Sequence, residues 1–407
     1  MTRCISAVGL LVMVAIGYVL SSSRRSIRWR PVLWGLALQV VFALAILKTA
    51  VGHRLFDAAG QAFLKLLEFP RHGTAFLFGP LLDTDLFPSP IVALSMLPTV
   101  IFFSSLISIL YHLGIMQKLI AAMAWVMRRT MGTSGSESLG AASNVFVGPV
   151  EAALAVRPYV AEMTTSELMA LMTTGMATVA GTVMVIYMDF VRAVGVNPAH
   201  ILSASVMSAP AALAIAKLMI PETRPVDSSP AEPAQIHHAN LIDAAARGAA
   251  FGLKLALSIA AMLIAFISLV ALVNALLTWA GALVRIEGLT LQRLFGYLFW
   301  PFAWVMGVPA GDCSEVGSLL GTKTILNEFI AYTELATKQA ILSKRSLIIA
   351  SYALCGFANP GTIAIAIAGL GGIAPQRTGE IARLGVKSLI GGTLAAFMTA
   401  TIAGMMI

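Results

Sequence analysis

Two acidic residues sit where acids are expensive. Glu151 lies in FVGPVEA (146–152) and Glu328 in GTKTILNEFIAY (321–332), both within long apolar stretches. A carboxylate at the centre of a membrane span costs about 2.5–3.5 kcal/mol even on lenient insertion scales, and usually faces a partner or a cavity. Uncharged donors and acceptors accompany the pair: Asn144, Thr178, Asn327, Asn359 and Thr362. Carboxylate and amide oxygens accept from hydroxyls and the amide also donates, so the set suits a hydroxyl-rich solute. It suits an anion poorly, because Lys323 is the one cationic side chain at matching depth. The competing reading, that these groups merely hold helices together, stays open for Asn144 and Thr178. Glu328 beside Asn327, near a broken span, points to function. Monovalent cations need carbonyl and hydroxyl oxygens from irregular backbone rather than thiols or imidazoles. A tip near Val147 and a break near Thr178 would supply carbonyls, with Asn144 adding a side-chain oxygen.

The elements that must carry these residues are membrane helices. Of the 407 residues, 58% are hydrophobic and 11% charged, and the mean hydropathy is +0.87. A soluble domain has about a quarter charged residues. The net charge of +8 is spread between apolar runs, at Arg24, Arg25, Arg28 and Arg30, then Arg128, Arg129 and Arg157. That placement fixes orientation and leaves no basic face for nucleic acid. Cys4, Cys313 and Cys355 have no metal-ligand spacing and read as small apolar residues. His237 and His238 in a polar loop and His112 beside an apolar run give zinc little support.

A span needs about 20 mostly apolar residues. Candidates lie at 3–20, 31–51, 91–112, 166–190, 200–220, 249–283, 346–372 and 384–407. The first has its basic cluster after the apolar run, which predicts a retained span rather than a cleaved signal. Arg24–Arg30 then face the cytoplasm, and both termini lie outside. Residues 52–68 and 285–300 interleave charges with apolar residues, as helices lying in the interface do. The stretch 221–240 (PETRPVDSSPAEPAQIHHAN) reads as a solvated cytoplasmic linker.

Residues 132–162 and 303–337 are too apolar for loops and too interrupted to cross, which predicts two re-entrant hairpins. Non-helical backbone at that depth is tolerated only around protein or a wet cavity. Each hairpin precedes a span with a broken centre, TGMATVAGT (174–182) and ALCGFANPGTIAI (353–365). Aligning Gly175–Thr178 with Gly356–Asn359 puts the acids 24 and 28 residues upstream. The copies would start on opposite sides, an inverted repeat of the kind secondary transporters carry.

These residues also carry a resemblance. FFSSLISILYHLGIM (102–116), GTSGSESLGAASNVFVG (132–148), LNEFIAY (326–332), ALCGFAN (353–359) and GEIARLGVKSLIGGTLAAFMTATIAG (379–404) are similar to the concentrative nucleoside transporter family. The likeness runs from about residue 30 to the C-terminus. It implies a homotrimer whose protomers have eight spans, two re-entrant hairpins and interfacial helices, with a transport domain moving against a scaffold. Carried over by position, the family's ribose-binding group falls on Glu328, Asn359 and Thr362, where serine is more usual at the last. Phe357 matches an aromatic pocket wall, Glu151 the acid near the nucleobase, and Val183 another pocket position. The sodium site falls on the Asn144 and Thr178 side chains and the backbone oxygens of Val147 and Val179.

Two departures stand out. Where many members read Gly-Gln-Thr-Glu at the first hairpin tip, this chain has Gly148-Pro149-Val150-Glu151; where they read Asn-Phe-Ser-Ser, it has Asn359-Pro360-Gly361-Thr362. The ribose acceptors survive while the base pocket becomes drier, and losing a hydrogen-bonding pair shifts discrimination by orders of magnitude. An unusual nucleoside, such as a hypoxanthine or modified-base one, or a related glycoside, is therefore a candidate.

The expectation is an all-α polytopic membrane protein: eight transmembrane helices, two re-entrant hairpins, interfacial helices and an inverted repeat. Its divisions are 1–50 (N-terminal spans), 51–131 (interfacial helix and third span, scaffold), 132–220 (first hairpin and following spans), 221–248 (linker), 249–302 (long scaffold span and interfacial helix) and 303–407 (second hairpin and last spans). It would be an inner-membrane symporter taking up a nucleoside with a cation, sodium because Asn144 is kept, proton as the alternative. No cofactor beyond the coupling ion is expected. An intramembrane enzyme using the two acids would need a nucleophile or metal cluster beside them, and neither a His pair nor a Gly-x-Ser-x-Gly turn lies in those segments. Paired hairpins that can occlude a site argue against a passive channel.

Overall fold

The computed structural model describes residues 2–82, 92–225, 227, 229–234, 238–283, 285–286 and 288–407. Parts of several expected segments therefore lie outside the described residues: 83–91, 226, 228, 235–237 (with His237), 284 and 287. No strand occurs among the described residues, and most of them are helical. In chain order the helices are α1 (Thr2–Val19), α2 (Trp29–Lys48), α3 (Ala50–Leu66), α4 (Glu68–Phe78), α5 (Val92–His112), α6 (Ile115–Met131), α7 (Gly135–Phe146), α8 (Pro149–Ala155) and α9 (Thr165–Ala177). They continue with α10 (Gly181–Ala193), α11 (Ala199–Met219), α12 (Leu241–Leu283), α13 (Leu291–Val305), α14 (Cys313–Ile325), α15 (Glu328–Ala336), α16 (Lys344–Leu354), α17 (Pro360–Ile373) and α18 (Thr378–Met406).

Among the described residues six stretches are long and apolar enough to cross a membrane: α1, α2, α9 with α10, α11, α12, and residues 375–406 around α18. The bent pair α5–α6 brings the number to seven. The eighth expected crossing, 346–372, has the broken centre expected of it: α16 and α17 are separated at 355–359.

Three boundaries differ from the sequence expectation, each for a local reason. The span expected at 249–283 begins at Leu241, so the last residues of the expected linker 221–248 are helical. Asn240 caps it: its Oδ1 accepts the Asp243 N–H at 2.9 Å, and the Asp243 carboxylate accepts the Ala239 N–H at 3.0 Å, a reciprocal cap. The interfacial stretch expected at 285–300 forms α13 from Leu291, where the Thr290 hydroxyl accepts the Arg293 N–H, and runs on to Val305. Within 51–131, α6 was not anticipated as a separate helix. Gly114, at φ +74°, ends α5 in a conformation that costs glycine nothing. The chain then turns through 78° into α6, which buries Met116, Ile120, Met127 and Met131 along one side.

Packing separates two kinds of helix. In α9 and α11 nearly every residue is buried, as is the second half of α18. α12 is the opposite: it buries only Ala244, Gly248, Gly252, Ala256 and Gly281, and Ile264 is 72% exposed. The first four form a stripe of small residues against α5. A Cβ on Gly248 would stand 2.7 Å from the Ser104 carbonyl oxygen, and one on Gly252 would stand 2.7 Å from the Ile101 Cα. Small residues every fourth position let two helix backbones meet in a medium that supplies no hydrophobic drive. At 43 residues and 1.5 Å of rise each, α12 is about 65 Å long, roughly twice the hydrocarbon thickness of about 30 Å.

The chain also repeats an order of elements: helix, tip, helix, broken span, long helix. α7, α8, α9–α10 and α11 make the first copy, and α14, α15, α16–α17 and α18 the second. The residue alignment through Gly175 and Gly356 does not survive, because Gly175 is inside α9 and Gly356 lies in the break after α16. The breaks correspond; the glycines do not. Away from the tips, Glu137 of α7 pairs with Lys217 of α11 at 2.6 Å. Lys217 also donates to Ser166 on α9 at 3.0 Å, and Glu222 accepts from Thr164 at 2.6 Å. Burial pushes the Glu222 carboxyl up, but the Thr164 hydroxyl, the Arg224 N–H and Lys217 hold it below the usual carboxylate range. The first hairpin's outer end is thus tied to the spans behind it.

Candidate functional site

The first turns of four helices converge on one cavity. Gly148 caps α8 with Pro149 at the first helical position. Ala180 caps α10. Asn327 caps α15, its Oδ1 accepting the Ile330 N–H at 2.9 Å. Asn359 caps α17, with Pro360 first and the Thr362 N–H donating to Oδ1 at 3.0 Å. The side-chain oxygens of Asn327 and Asn359 satisfy N–H groups that a helix start leaves without partners, and proline at the first position of α8 and α17 loses no helical bond. The two breaks touch behind the cavity. A Cβ on Gly356 would stand 2.7 Å from the Ala177 carbonyl oxygen and 2.9 Å from that of Met176. With φ at +123°, only glycine holds that place without strain.

The cavity encloses about 160 Å³ and is lined by Gly148, Pro149, Val150, Glu151, Ala180, Val183, Tyr187, Asn327, Glu328, Phe329, Phe357, Asn359, Thr362 and Ile365, with one face of α12. Every residue singled out in the sequence for the solute therefore lies on one cavity: Gly148, Pro149, Val150, Glu151, Val183, Glu328, Phe357, Asn359 and Thr362.

Its polar end is built around Glu328, which is 5% exposed. Tyr187 donates to Oε1 at 2.9 Å and the Asn359 amide to Oε2 at 3.1 Å. Each oxygen thus has one fixed partner and keeps a further lone pair for a donor in the cavity. Glu328 is also the first residue of α15, where the positive end of the helix favours an anion. Tyr187 stacks on Tyr332, ring centroids 4.6 Å apart and planes at 17°, and the Tyr332 hydroxyl donates to the Ser351 carbonyl on α16 at 2.6 Å. The carboxylate is therefore held from α10, α15, α16 and α17. The rest of the lining is largely apolar: Pro149, Val150, Val183 and Ile365, with Phe251, Leu255, Ile259 and Met262 of α12, among which Ser258 is the polar exception. Glu151 is the charged group there, in the first turn of α8, its carboxylate folded back toward Gly148.

The residues expected to hold an ion lie behind the cavity, where α7 meets α9. Asn144 is 1% exposed; its amide donates to the Gly140 carbonyl and the Thr174 hydroxyl, both at 3.1 Å. Its Oδ1 is buried without a hydrogen-bond partner in the structure, which calls for a cation or a water. Val147 and Thr178 are the residues that end α7 and α9, with Val179 next in the break. Carbonyls there have lost their helical partners, and the Thr178 hydroxyl, which donates to Thr174 O at 2.8 Å, has lone pairs to offer. Oxygen donors from irregular backbone fit a hard monovalent ion. Among the described residues no group of three or more His, Cys, Asp or Glu side chains is placed to hold a metal, and Cys4, Cys313 and Cys355 are unpaired.

Sequence reasoning missed Tyr187 and the α12 wall. Tyr187 follows Val183 by one helical turn, a spacing that was available. Phe251, Leu255, Ser258, Ile259 and Met262 share one face of α12, but in so apolar a run one serine on that face marks no period. Lys323, noted for its depth, does not line the cavity; its ammonium donates to the Ala353 carbonyl of α16 at 2.7 Å.

Known proteins with this architecture are transporters. The family model for the Na+ dependent nucleoside transporter C-terminus matches residues 200–404, and its N-terminal counterpart matches 8–81. A model named Gate, described as nucleoside recognition, matches 93–194. An uncharacterized transporter of Haemophilus influenzae is 42% identical over 99% of this chain and 97% of its own. The sodium/nucleoside cotransporter 1 of Rattus norvegicus is 39% identical over 99% of this chain and 64% of its own. Among solved structures, an inward-facing substrate-bound state of CNTnw superposes with a TM-score of 0.94 at 38% identity, covering 100% of this chain and 98% of that one. A doubly substituted CNTnw in an outward-facing state gives 0.93 with the same identity and coverage.

Proposed function

The chain belongs to the Na+ dependent nucleoside transporter family, as a multi-pass membrane protein and not an enzyme, and we propose that it imports a nucleoside or a close relative by alternating access, coupled to sodium. The observation that carries this reading is the cavity that joins Glu328, Asn359 and Thr362 to a largely apolar lining. The first suits a ribose and the second a base. Relatives of this family have been captured facing outward and facing inward, which supports a cycle in which the site is exposed to each side in turn.

In that cycle the solute lies between Glu151 and Glu328, and the cation sits on Asn144, Val147, Thr178 and Val179. The cation and the solute meet through the α8 tip and the α9–α10 break, so each raises the affinity of the other by the same factor. Residues 51–131 and 249–302 serve as scaffold, 132–220 and 303–407 as the moving part, and 221–248 links them. The exposed apolar length of α12 fits lipid and the neighbouring protomers of a homotrimer in the bacterial inner membrane. The orphaned Asn144 oxygen, beside the carbonyls that end α7 and α9, favours sodium over a proton carried by Glu151 or Glu328, because a cluster of acceptors with no donor suits a cation best.

The test is uptake of a labelled nucleoside panel into proteoliposomes under an imposed sodium or proton gradient. Sodium at fixed pH is expected to raise solute affinity, and Asn144→Ala to flatten that dependence; uptake that follows pH and ignores sodium would transfer the coupling to a proton. A second expectation concerns Tyr187. Tyr187→Phe keeps the stack on Tyr332 and removes the hydrogen bond to Glu328. A bond to a charged group contributes about 1.5–3 kcal/mol, so KM for ribosides should rise by about ten- to a hundredfold. The matching analogues without ribose hydroxyls should change little. An equal rise for both would make Tyr187 a packing residue only.

A further inference from the structure

The two repeats place different chemistry at one corresponding position. Asn144 precedes the first residue of α8, Pro149, by five; Lys323 precedes the first residue of α15, Glu328, by five. Both side chains are buried, at 1% and 0% exposure. Each reaches the last turn of the helix before the break in its own repeat. Asn144 donates to the Thr174 hydroxyl of α9 at 3.1 Å, and Lys323 to the Ala353 carbonyl of α16 at 2.7 Å. In the first repeat the position leaves an amide oxygen over, Asn144 Oδ1. In the second it supplies a positive charge.

Lys323 makes no contact ion pair, although its charge and that of Glu328 interact at longer range. Among the described residues no carboxylate oxygen lies within 4.0 Å of its ammonium, unlike Lys217, which sits 2.6 Å from Glu137. Its partner is a carbonyl at the negative end of a helix, the kind of oxygen that holds a bound monovalent cation. An ammonium is itself a compact monovalent cation on a flexible stem. We propose that Lys323 is a tethered cation, standing in the second repeat where the coupling cation stands in the first, so that a single mobile cation accompanies each solute. This rests on the assignment of a cation to Asn144, Val147, Thr178 and Val179.

The consequence is a matter of charge. A tethered ammonium travels inward with the loaded domain and outward with the empty one, and contributes no net charge per cycle. A mobile cation is left inside. Without the Lys323 charge, the second repeat must recruit a mobile cation to the Ala353 carbonyl. For a neutral solute, wild type should therefore carry one charge per solute, and Lys323→Asn two. The sodium dependence of uptake should change from hyperbolic to sigmoidal, the Hill coefficient rising from about one toward two.

The experiment uses the full-length protein in proteoliposomes. Labelled sodium and labelled solute are counted together, and the reversal potential is read at a fixed solute gradient. Lys323→Ala is assayed alongside, with and without methylammonium, and all variants are checked for an unchanged melting temperature. A sodium-to-solute ratio of one in wild type and two in Lys323→Asn, or restored uptake of Lys323→Ala by methylammonium, supports the tethered cation. A ratio of two in wild type overturns it. So does a folded Lys323→Asn that keeps a ratio of one, or a folded Lys323→Ala that no amine and no sodium concentration revives. Failure of the underlying ion site shows separately, as Asn144→Ala leaving the sodium dependence unchanged. Rescue by methylammonium then decides the role of Lys323 alone.

Discussion

Glu328→Gln is expected to abolish concentrative uptake, by more than a hundredfold, while the protein stays folded. Asn359 Oδ1 is committed to the Thr362 N–H, so the amide that faces position 328 is fixed as a donor. A glutamine there must turn its carbonyl toward Asn359 and its amide toward Tyr187, whose hydroxyl can accept as well as donate. Both protein partners are then kept, which is why stability should survive. What is lost is the charge. A hydrogen bond to an ionised acceptor is about twice as strong as a neutral one and contributes about 1.5–3 kcal/mol. Two ribose hydroxyls would lose a good part of it, and each 1.4 kcal/mol is about tenfold in affinity. Uptake and melting temperature measured on the same preparation check this, and full uptake by the folded variant would remove Glu328 from the solute site.

The same residue shows why so much of the site was legible. A carboxylate in an apolar run has few physical excuses, and Asn327 and Asn359 announce helix starts because their side chains cap whichever helix follows. Sequence alone thus located the tips and the breaks, and the structure brings them together on one cavity. Position in space was another matter. The repeat register was misjudged by reading Gly175 and Gly356 as equivalents. Glycine in a membrane helix serves close packing as often as a break, and only the +123° φ at Gly356 separates the two uses.

The wall contributed by α12 was not legible. A residue lining a pocket from a helix that is apolar on every side looks like its neighbours that face lipid. Phe251 and Leu253 illustrate it. Both are large, apolar and partly exposed, yet only Phe251 borders the cavity. The bend into α6 was missed for a related reason: Gly114 was read within a family motif and not as the stop signal that its left-handed backbone makes it. Hydrogen-bonding residues declare themselves through the cost of leaving them unpaired, and apolar ones do not.

That asymmetry bears on the α8 tip, where uridine is expected to bind poorly. Pro149 has no backbone N–H and Val150 no side-chain donor. Around them stand Val183, Ile365 and the largely apolar face of α12, so beside the tip the lining offers the Glu151 carboxylate and the Ser258 hydroxyl and little else that is polar. A uracil edge buried there finds no donor on the tip side chains and one hydroxyl, that of Ser258, on the α12 wall. Each polar group stranded in this way costs about 1–3 kcal/mol, and two together lower affinity by roughly two to three orders of magnitude. A base with fewer exposed acceptors, or a hypoxanthine-like one that can donate to Glu151, loses less. The double substitution Pro149→Gln/Val150→Thr, which restores the side chains the family carries at these positions, should recover uridine. Position 149 borders the main cavity, and Gly175 across from it on α9 presents no side chain against a longer residue there. Competition by unlabelled uridine against the best substrate, in wild type and in the double variant, measures the change. Micromolar inhibition of the wild type by uridine would mean that the tip does not read the base edge. Specificity would then rest on the α12 wall, and substitutions at Phe251 and Met262 would be the ones to move it.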